Sequence, residues 1–397
     1  MVSLKRAMAL ASAAAVVSTG LVTTSMAVAQ DDGACNVGVS WNNFEQPRWA
    51  AKDKPNMQAT IEAGGGTYTD FDARLDSAQQ QTDVETLING GADVLVLLAQ
   101  NQDAAIAALE TAQNAGVPVI AYDRLIEDPN VLYITFDNVG VGKAEAEAIL
   151  EAVPSGNYVL IKGDPGDANA STFLPMGWDQ AGLQDKIDAG DITIVGDQFT
   201  DGWKTETAQN NMEAIIDSAN ADGVSIDAIL AENDSTALGV VAALQAKGLD
   251  PVPLSGQDGD TANLQNVAAG WQYVDVWKNA NELGKVAGAA ALQLCEGVAM
   301  EDLVIPDGLI GDAVMPLDGA GATPFETPGG NSVTSFILQP QPITQDNLNL
   351  IVESNWLTLD ELCAQAADGP SPAAICTDGA SMDEASMAPE ESAEASE

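Results

Sequence analysis

The sequence contains no histidine, and its 397 residues include only 14 Lys or Arg against 59 Asp or Glu. Without histidine, the most common general base and metal ligand are missing, which argues against Ser-His-Asp hydrolases and most zinc sites. The formal net charge of −45 excludes nucleic acid and anionic membrane surfaces as partners, because both bind through clustered cations. So acidic a composition indicates a highly soluble surface, suited to a salty habitat, rather than a site for a cationic ligand.

Long apolar runs are absent after the N-terminal segment 1–29. That segment has a cationic start at Lys5 and Arg6, a stretch rich in Ala, Val, Leu and Met, and a small-x-small pattern at residues 27–29. These features predict a signal peptide that is removed, so that a soluble mature chain is exported to the periplasm or to the cell-surface space of a monoderm. A membrane anchor is the alternative, which the Ser and Thr residues at 18–25 disfavour.

Cysteine is scarce: four residues occur, with no CxxC spacing that would indicate a redox or metal site. In an exported chain they can form disulfides, and four cysteines allow three connectivities, among which the sequence cannot choose. The arrangement that we favour pairs Cys35, at the start of the first strand, with Cys295, at the end of a helix antiparallel to it. Cys363 would then pair with Cys376. A lipid on Cys35 is a further alternative, although the acidic pair at 31–32 directly precedes it.

Short apolar runs alternate with segments of helical spacing along most of the chain. The predicted strands are 36–39, 94–98, 117–122, 131–136, 158–161, 192–195, 228–231, 252–254 and 273–276. The predicted helices include 104–114, 139–152, 205–219 and 236–247. Continuous apolar strands are typical of a parallel sheet that is covered on both faces, so the pattern predicts an α/β fold with right-handed crossovers. There are too many units for one modest sheet, which indicates two lobes of similar design.

Polar or aromatic residues follow directly on most of these apolar runs. The clusters are Tyr122-Asp123-Arg124, Phe136-Asp137-Asn138, Gly163-Asp164, Asp201-Gly202-Trp203, Glu232-Asn233-Asp234 and Gly256-Gln257-Asp258. In an open parallel sheet, ligands bind in the crevice beyond the carboxyl ends of the strands, so polar groups placed there converge on one site. The sequence therefore predicts a site for a polar small molecule.

Motifs that would indicate catalysis or a bound metal are incomplete. Gly140-Val141-Gly142-Lys143 lacks the leading glycine and the following Ser or Thr of a phosphate loop, and the acidic spacing at 164–169 lacks the terminal glutamate of a calcium loop. Asp258 and Asp260 could serve a glycosidase, although carboxylates are too abundant here for proximity in sequence to decide. We therefore expect a protein that needs no cofactor or metal and is not an enzyme. An exported glycosidase stays the alternative.

A set of short motifs, taken in order, carries a family resemblance. The motifs are Trp41-Asn42-Asn43 with Arg48-Trp49, Ala121-Tyr122-Asp123-Arg124, Thr135-Phe136-Asp137-Asn138, Asp167-Ala168-Asn169-Ala170, Val195-Gly196-Asp197-Gln198, Asp201-Gly202-Trp203, Glu232-Asn233-Asp234, Ser255-Gly256-Gln257-Asp258 and Val276-Trp277-Lys278. Together they resemble the D-xylose-binding proteins of ABC sugar importers. Residues 335–338 and 343–347 are similar to the C-terminal part of xylose- and multiple-monosaccharide-binding proteins.

The resemblance implies a type I periplasmic-binding fold, in which two Rossmann-like α/β lobes with parallel sheets are joined by three hinge strands and hold a sugar between them. The expected divisions are a signal peptide at 1–29, an N-terminal lobe at 30–137 plus 280–328, a C-terminal lobe at 138–279 plus 329–365, and an acidic tail at 366–397. The crossings are expected near Asn138, Asn279 and the stretch 329–335. The tail is rich in Ala, Ser, Pro and Glu, which predicts disorder.

By the same resemblance, nine positions match the sugar contacts of the family. They are Arg48, Trp49, Asp123, Arg124, Asn169, Trp203, Asn233, Asp258 and Lys278. A pyranose has apolar C–H faces and a rim of hydroxyls, so the two tryptophans can stack on it while the carboxylates accept hydrogen bonds from its hydroxyls. The Arg and Lys side chains can donate charge-assisted bonds, and the two asparagines can donate and accept.

The function that this implies is capture of a monosaccharide, with D-xylose favoured, and its delivery by a monomeric protein to an ABC permease and its ATPase. Glu45, Gln46, Glu232 and Trp277 differ from the xylose pattern and leave the sugar open, because discrimination against the hydroxymethyl group of glucose is a question of shape, worth roughly 1–3 kcal/mol. A receptor for several monosaccharides (glucose, galactose, arabinose) and a chemoreceptor-coupled sensor are the alternatives. A sugar-responsive repressor is excluded, since the chain has no basic helix-turn-helix region.

Overall fold

The computed structural model describes residues 34–377. The predicted signal peptide at 1–29 and positions 378–397 of the predicted tail lie outside the described residues. Between residues 34 and 377, none of the helices combines the length and the apolar character that a membrane span requires.

The described residues form alternating strands and helices. The strands are β1 (Asn36–Trp41), β2 (Thr67–Asp72), β3 (Val94–Leu97), β4 (Val119–Tyr122), β5 (Val131–Phe136), β6 (Gly156–Lys162), β7 (Ile192–Phe199), β8 (Ala228–Ala231), β9 (Asp275–Trp277), β10 (Thr323–Glu326), β11 (Ser332–Leu338) and β12 (Gln341–Ile343). The helices are α1 (Lys54–Ala63), α2 (Ser77–Asn89), α3 (Gln102–Ala115), α4 (Asn138–Ala152), α5 (Leu174–Gln180), α6 (Leu183–Ala189), α7 (Thr205–Asp222), α8 (Asp234–Ala246), α9 (Thr261–Ala269), α10 (Ala280–Cys295), α11 (Asn349–Glu353) and α12 (Leu359–Cys363). The predicted α/β pattern is confirmed.

The first lobe is built on a seven-stranded sheet in the order β10-β11-β5-β4-β3-β1-β2, parallel except for β10. Alternate residues of β3 enter two separate cores, because successive side chains of a strand point to opposite faces. Met57 of α1 and Leu283 of α10 belong to one core, and Leu87 of α2 and Leu109 of α3 belong to the other. Helices therefore cover both faces, as the unbroken apolar run of β3 predicts.

The second lobe is built on a smaller sheet in the order β7-β6-β8, with all pairs parallel. A bridge from Ile229 to Leu254 and a bridge from Gln257 to Val276 extend this sheet to β9, which pairs antiparallel with β12. The strand predicted at 252–254 is therefore reduced to a single bridge. Pro253 cannot donate to a ladder, which explains why pairing stops there.

Three connections cross between the lobes, and two of them lie where they were predicted. The chain passes from β5 into α4 at Asn138, and from β9 into α10 at Asn279. The third prediction, at 329–335, is wrong. Residues 332–338 form β11, which pairs in parallel with β5 in the first lobe. The third crossing therefore lies later in the chain, between β11 and β12.

A hairpin explains this error and moves the domain boundary. Residues 327–331 form the turn between β10 and β11, and Gly330 adopts a φ of 84° that favours glycine. The stretch that begins at Gly329 therefore closes an antiparallel pair and is not a crossing. The predicted C-terminal lobe segment 329–365 begins too early, because the chain reaches the second lobe only with β12.

The tail prediction is also wrong at its beginning. Ala366 and Ala373 are buried in a core that includes Leu264 of α9, so residues 366–377 pack on the second lobe instead of being disordered. A disulfide between Cys363 and Cys376 closes this segment. The other predicted pair, Cys35 with Cys295, is also present and confirms the favoured connectivity.

Replacing Cys363 and Cys376 with Ser is expected to lower the free energy of unfolding by about 3 kcal/mol, because the disulfide restricts a short loop of the unfolded chain. The same change at Cys35 and Cys295 is expected to cost more, about 5 kcal/mol, because these residues are 260 positions apart. Urea denaturation of both double variants without reductant measures the two losses. The reverse order would contradict the loop-closure explanation.

Candidate functional site

A cavity between the lobes brings together all nine residues that the sequence predicted for the site. Its lining consists of Gln46, Arg48, Trp49, Asp123, Arg124, Asp167, Asn169, Trp203, Asn233, Gln257, Asp258 and Lys278. Residues before 125 in this set belong to the first lobe and the others to the second. A molecule held here therefore touches both lobes.

Two short π-helical segments carry lining residues into the cavity from opposite lobes. The segment Trp49–Asp53 precedes α1, and Asn169–Phe173 precedes α5. Each is followed by a proline in the first turn of the next helix, Pro55 and Pro175. Proline lacks the N–H that would bond to the carbonyl four residues earlier and crowds that carbonyl, which favours the wider turn. A π-helical turn followed by proline thus positions the indole of Trp49 in one lobe and the amide of Asn169 in the other.

Three lining residues have left-handed backbone conformations that residues other than glycine rarely adopt. The φ angles are 61° at Asp123, 58° at Trp203 and 113° at Asp258. All three lie in the clusters that follow strands, where the chain must turn sharply to send a side chain into the cleft. Such strain persists only where the surrounding structure holds it, and it is concentrated at functional sites.

Arg48 is the electrostatic centre of the cavity and is 1% exposed. Its Nη1 lies 2.7 Å from Asp258 Oδ1, and its Nη2 lies 3.3 Å from Asp123 Oδ1. Behind it, Asp53 accepts hydrogen bonds from Nε at 3.2 Å and Nη2 at 2.9 Å, and the Tyr122 hydroxyl donates to Asp53 at 2.7 Å. Burial alone would lower the pKa of Arg48, but the three carboxylates outweigh burial and raise it. The guanidinium therefore stays charged.

The carboxylates around Arg48 respond differently to burial. Burial would raise the pKa of Asp123, but Lys278, Arg48 and Arg124 more than offset it, so the pKa is lowered. Lys278 Nζ lies 3.3 Å from Asp123 Oδ1. Burial dominates at Asp53 and raises its pKa to about 6 in spite of Arg48. Asp123 is thus an ionised acceptor for hydroxyl donors.

Asp167 joins two of the predicted residues across the cleft. Its Oδ2 lies 2.9 Å from Arg124 Nε and accepts a hydrogen bond from Trp203 Nε1 at 3.2 Å. Burial raises the pKa of Asp167, and Arg124 opposes the rise. Asp167 was absent from the predicted set. Its signal was its position in the Asp167-Ala168-Asn169 motif, but sequence does not show which members of a motif face a cavity.

The other indole is held from several sides. Trp49 is 3% exposed, and its Nε1 donates to Gln46 Oε1 at 2.6 Å. The guanidinium of Arg48 lies 4.1 Å from the ring centroid, a cation–π contact, and Trp41 packs on it at a centroid distance of 6.4 Å. Gln46, which the sequence identified only as a departure from the xylose pattern, is therefore part of the cavity.

Two amide oxygens of the lining are buried without a hydrogen-bond donor among the described residues. They are Asn169 Oδ1 and Gln257 Oε1. Their partner atoms are engaged, since Gln257 Nε2 donates to the Glu232 carbonyl at 2.7 Å and Asn169 Nδ2 to the Asp123 carbonyl at 3.4 Å. Buried acceptors without donors cost free energy. Their convergence on one cavity indicates a ligand that brings hydroxyl or amine hydrogens.

Asn233 combines a local structural role with its place in the lining. Its Oδ1 accepts from the Thr236 N–H at 2.9 Å and caps the N-terminus of α8. The oxygen is therefore occupied, and the amide nitrogen is what remains for a ligand. The sequence predicted Asn233 as a site residue, but not that its oxygen caps a helix while its amide nitrogen faces the ligand.

The arrangement suits reversible binding better than bond cleavage. Asp258, one member of the carboxylate pair considered for a glycosidase, contacts Arg48 and Lys278, and the other member, Asp260, is not part of the lining. Glycoside cleavage requires two carboxyl groups on either side of the scissile bond, one of them protonated. The lining instead offers two indoles, paired charges and free acceptors.

Comparison with known proteins gives a consistent result. Residues 37–299 match the family model described as "Periplasmic binding protein domain". The chain is 36% identical over 285 residues to the D-xylose-binding periplasmic protein of Escherichia coli K12, covering 70% of this chain and 83% of that protein. It is 29% identical over 364 residues to a multiple sugar-binding periplasmic protein of Azospirillum brasilense, covering 86% and 94%.

A solved structure agrees with these sequence relatives. It is an ABC transporter solute-binding protein from Clostridium phytofermentans with bound β-D-glucose. The TM-score is 0.71 and the identity is 31%, with 82% of this chain and 99% of that chain covered.

Proposed function

This chain belongs to the periplasmic binding protein family, and on that premise we propose that it captures a monosaccharide between its lobes, with D-xylose as the preferred ligand, and delivers it to an ABC permease. The relatives are binding proteins and not enzymes, so the work is recognition and release. The observation that carries the proposal is the lining of the cavity, where two indoles and two free buried amide oxygens surround paired charges. A pyranose offers an apolar face to the indoles and hydroxyl donors to the free acceptors.

Capture follows from the way the two lobes share the site. Ion pairs join them across the cleft: Arg48–Asp258 at 2.7 Å, Arg124–Asp167 at 2.9 Å and Lys278–Asp123 at 3.3 Å. The lobes rotate about the three crossings, and a sugar that contacts both lobes favours the closed form by its differential affinity. In this proposal the closed protein, exported and monomeric, is what the permease recognises.

A second candidate is a receptor for several monosaccharides. It is favoured by the similarity to the multiple sugar-binding protein of Azospirillum brasilense, which covers more of this chain than the xylose-binding relative does. The glucose-bound structure supports the same candidate. Two residues that depart from the xylose pattern lie at or beside the cavity. Gln46 is a buried lining residue, and the backbone carbonyl of the buried Glu232 accepts a hydrogen bond from the lining residue Gln257.

Isothermal titration calorimetry against D-xylose, D-glucose, D-galactose and L-arabinose tests the proposal. We expect micromolar or tighter binding of D-xylose, with D-glucose at least about tenfold weaker, because an extra hydroxymethyl group in a closed cavity costs roughly 1–3 kcal/mol. Comparable affinity for several of the sugars would favour the second candidate. No binding of any of the four would overturn the assignment of the ligand class.

A further inference from the structure

The loop Asp258-Gly259-Asp260 presents a predicted ligand carboxylate from a strained backbone. The φ angles are 113° at Asp258 and 80° at Gly259. Glycine is required at 259, because a Cβ atom there would lie 2.3 Å from Trp277 Cδ1. Backbone strain of this kind persists only where the surrounding structure holds it.

Two buried carboxyl groups outside the cavity hold this loop through its backbone. Asp275 Oδ1 accepts a hydrogen bond from the Gly259 N–H at 3.1 Å, and Asp234 Oδ2 accepts one from the Asp260 N–H at 2.7 Å. Asp234 lies in the first turn of α8 and Asp275 begins β9, so the loop is fixed to two different elements. Both residues are 0% exposed.

The remaining oxygens of the two groups explain how both can be buried together. Asp234 Oδ1 and Asp275 Oδ2 receive no hydrogen bond from any N–H or hydroxyl of the described residues. The two groups accept from the N–H groups of consecutive residues, and each shifts the pKa of the other, so the two side chains are neighbours. Two ionised carboxylates have no hydrogen to share, whereas a carboxylic acid and a carboxylate form a strong bond.

We propose that Asp234 and Asp275 share a proton and act as positioning residues, which hold the loop so that Asp258 points at the sugar. The inference rests on the proposed function, because Asp258 is assigned to the ligand there. Neither member of the pair lines the cavity. Each acts on the ligand only through the backbone of the loop.

The ionisable groups that face the pair are nearly all acidic. Asp258 and Asp260 raise the pKa of both members of the pair, and Glu145 of α4 also faces Asp275 and Asp258. The nearest cations, Arg48 and Lys278, are engaged with Asp258 itself. No cation of the described residues pairs with Asp234 or Asp275 directly.

Burial is the main reason why the pair retains its proton. It raises the pKa of Asp275 from its ordinary 3.8 to about 8, with the neighbouring carboxylates adding to the rise. It also raises the pKa of Asp234, to which the charge of Asp275 contributes. The pair therefore holds a proton at neutral pH. Ionisation of Asp275 raises the pKa of Asp234, so the pair loses its last proton only above about pH 8, when the two groups repel each other and release the loop.

Calorimetric titration with the sugar that binds wild-type protein, at pH values from 6.5 to 9.5, tests the pair in wild type, Asp275→Asn and Asp275→Ala. An asparagine can accept from Gly259 and donate to Asp234 without a shared proton, so its affinity at pH 6.5 is expected within about threefold of wild type. The alanine variant is expected to bind about tenfold or more weakly, because it leaves buried groups unpaired. Wild-type affinity is expected to fall by up to about tenfold per pH unit where the pair loses its last proton, above pH 8, and that of Asp275→Asn to stay level.

Two results would overturn the proposal: equal losses in both variants at pH 6.5, or the same alkaline loss in wild type and in Asp275→Asn. Carbon-13 NMR of the aspartate carboxyl groups in ligand-free protein separates this proposal from the function on which it rests. A titration near pH 8 in wild type that disappears in Asp275→Asn supports the shared proton even if no sugar binds. Titration of both Asp234 and Asp275 below pH 5 would contradict it whatever the ligand.

Discussion

Replacement of Trp203 with Ala is expected to weaken sugar binding about thirtyfold or more. The indole lines the cavity, is 4% exposed and is fixed on both its polar and apolar sides. Its Nε1 donates to Asp167, and its ring packs on Gly163, where a Cβ atom would lie 2.1 Å from it. A preorganised aromatic surface of this kind carries binding energy out of proportion to its area, commonly about 2 kcal/mol or more. Loss of Trp203 also frees Asp167 to turn away from Arg124.

Titration calorimetry of Trp203→Ala at pH 7 measures the loss, and circular dichroism shows whether the protein is folded. Trp271→Ala is the matched control, since Trp271 is a half-buried tryptophan of the same lobe that does not line the cavity. We expect the control to bind as wild type does. Affinity within threefold of wild type in Trp203→Ala would remove this residue from the site. Equal losses in both variants would point to general destabilisation instead.

Part of the cavity lining could be predicted from a geometric rule that does not depend on detailed packing, whereas Arg48, Trp49, Asn169 and Lys278 came only from the family resemblance. Polar residues that follow parallel strands converge beyond the carboxyl ends of those strands, and residues such as Asp123, Trp203 and Asp258 occupy such positions. What sequence could not show is the layer behind them. Asp53 holds Arg48 from behind and accepts a hydrogen bond from the Tyr122 hydroxyl, and nothing in its spacing distinguishes Asp53 from other acidic residues of the chain.

Strands that are buried on both faces were predictable, whereas the edge strand β2 and the hairpin strands β10 and β11 were not predicted. β3 and β5 are continuous apolar runs, whereas β2 reads Thr-Tyr-Thr-Asp-Phe-Asp and is half-exposed at the rim of its sheet. Without a partner on one side, such a strand needs few apolar residues. The hairpin of β10 and β11 was missed for a related reason, since the glycine-rich turn that closes it has the same composition as a hinge.

The cross-lobe charges make Arg48 the residue whose loss should have the widest consequences. It contacts Asp53 and Asp123 of its own lobe and Asp258 of the other. A guanidinium buried among carboxylates is costly to desolvate, but removing it alone leaves several buried negative charges without a partner. Binding and stability should therefore fail together in an Arg48 variant, in contrast to Trp203→Ala, where binding is expected to fail first.

Arg48→Met is expected to abolish measurable sugar binding and to lower the free energy of unfolding by about 3–5 kcal/mol at pH 8. The loss should be smaller at pH 5, by about 1 kcal/mol or more. In wild type the pKa of Asp53 is about 6 against an ordinary 3.8, so the folded state holds more protons between these values and stability falls as the pH rises through them. Without Arg48 the pKa of Asp53 rises further, which extends that fall to higher pH.

Asp123 also makes the loss of stability in Arg48→Met larger at pH 8 than at pH 5. Its pKa is lowered in the folded protein by Lys278, Arg48 and Arg124, so it contributes stability above its ordinary pKa, and this contribution shrinks when Arg48 is removed. Urea denaturation at pH 5 and pH 8 measures the difference, with Arg74→Met as the control because Arg74 is exposed and should change stability by less than about 0.5 kcal/mol. An equal loss at both pH values would mean that Arg48 stabilises the fold through packing of its side chain, and that the buried carboxylates do not depend on its charge.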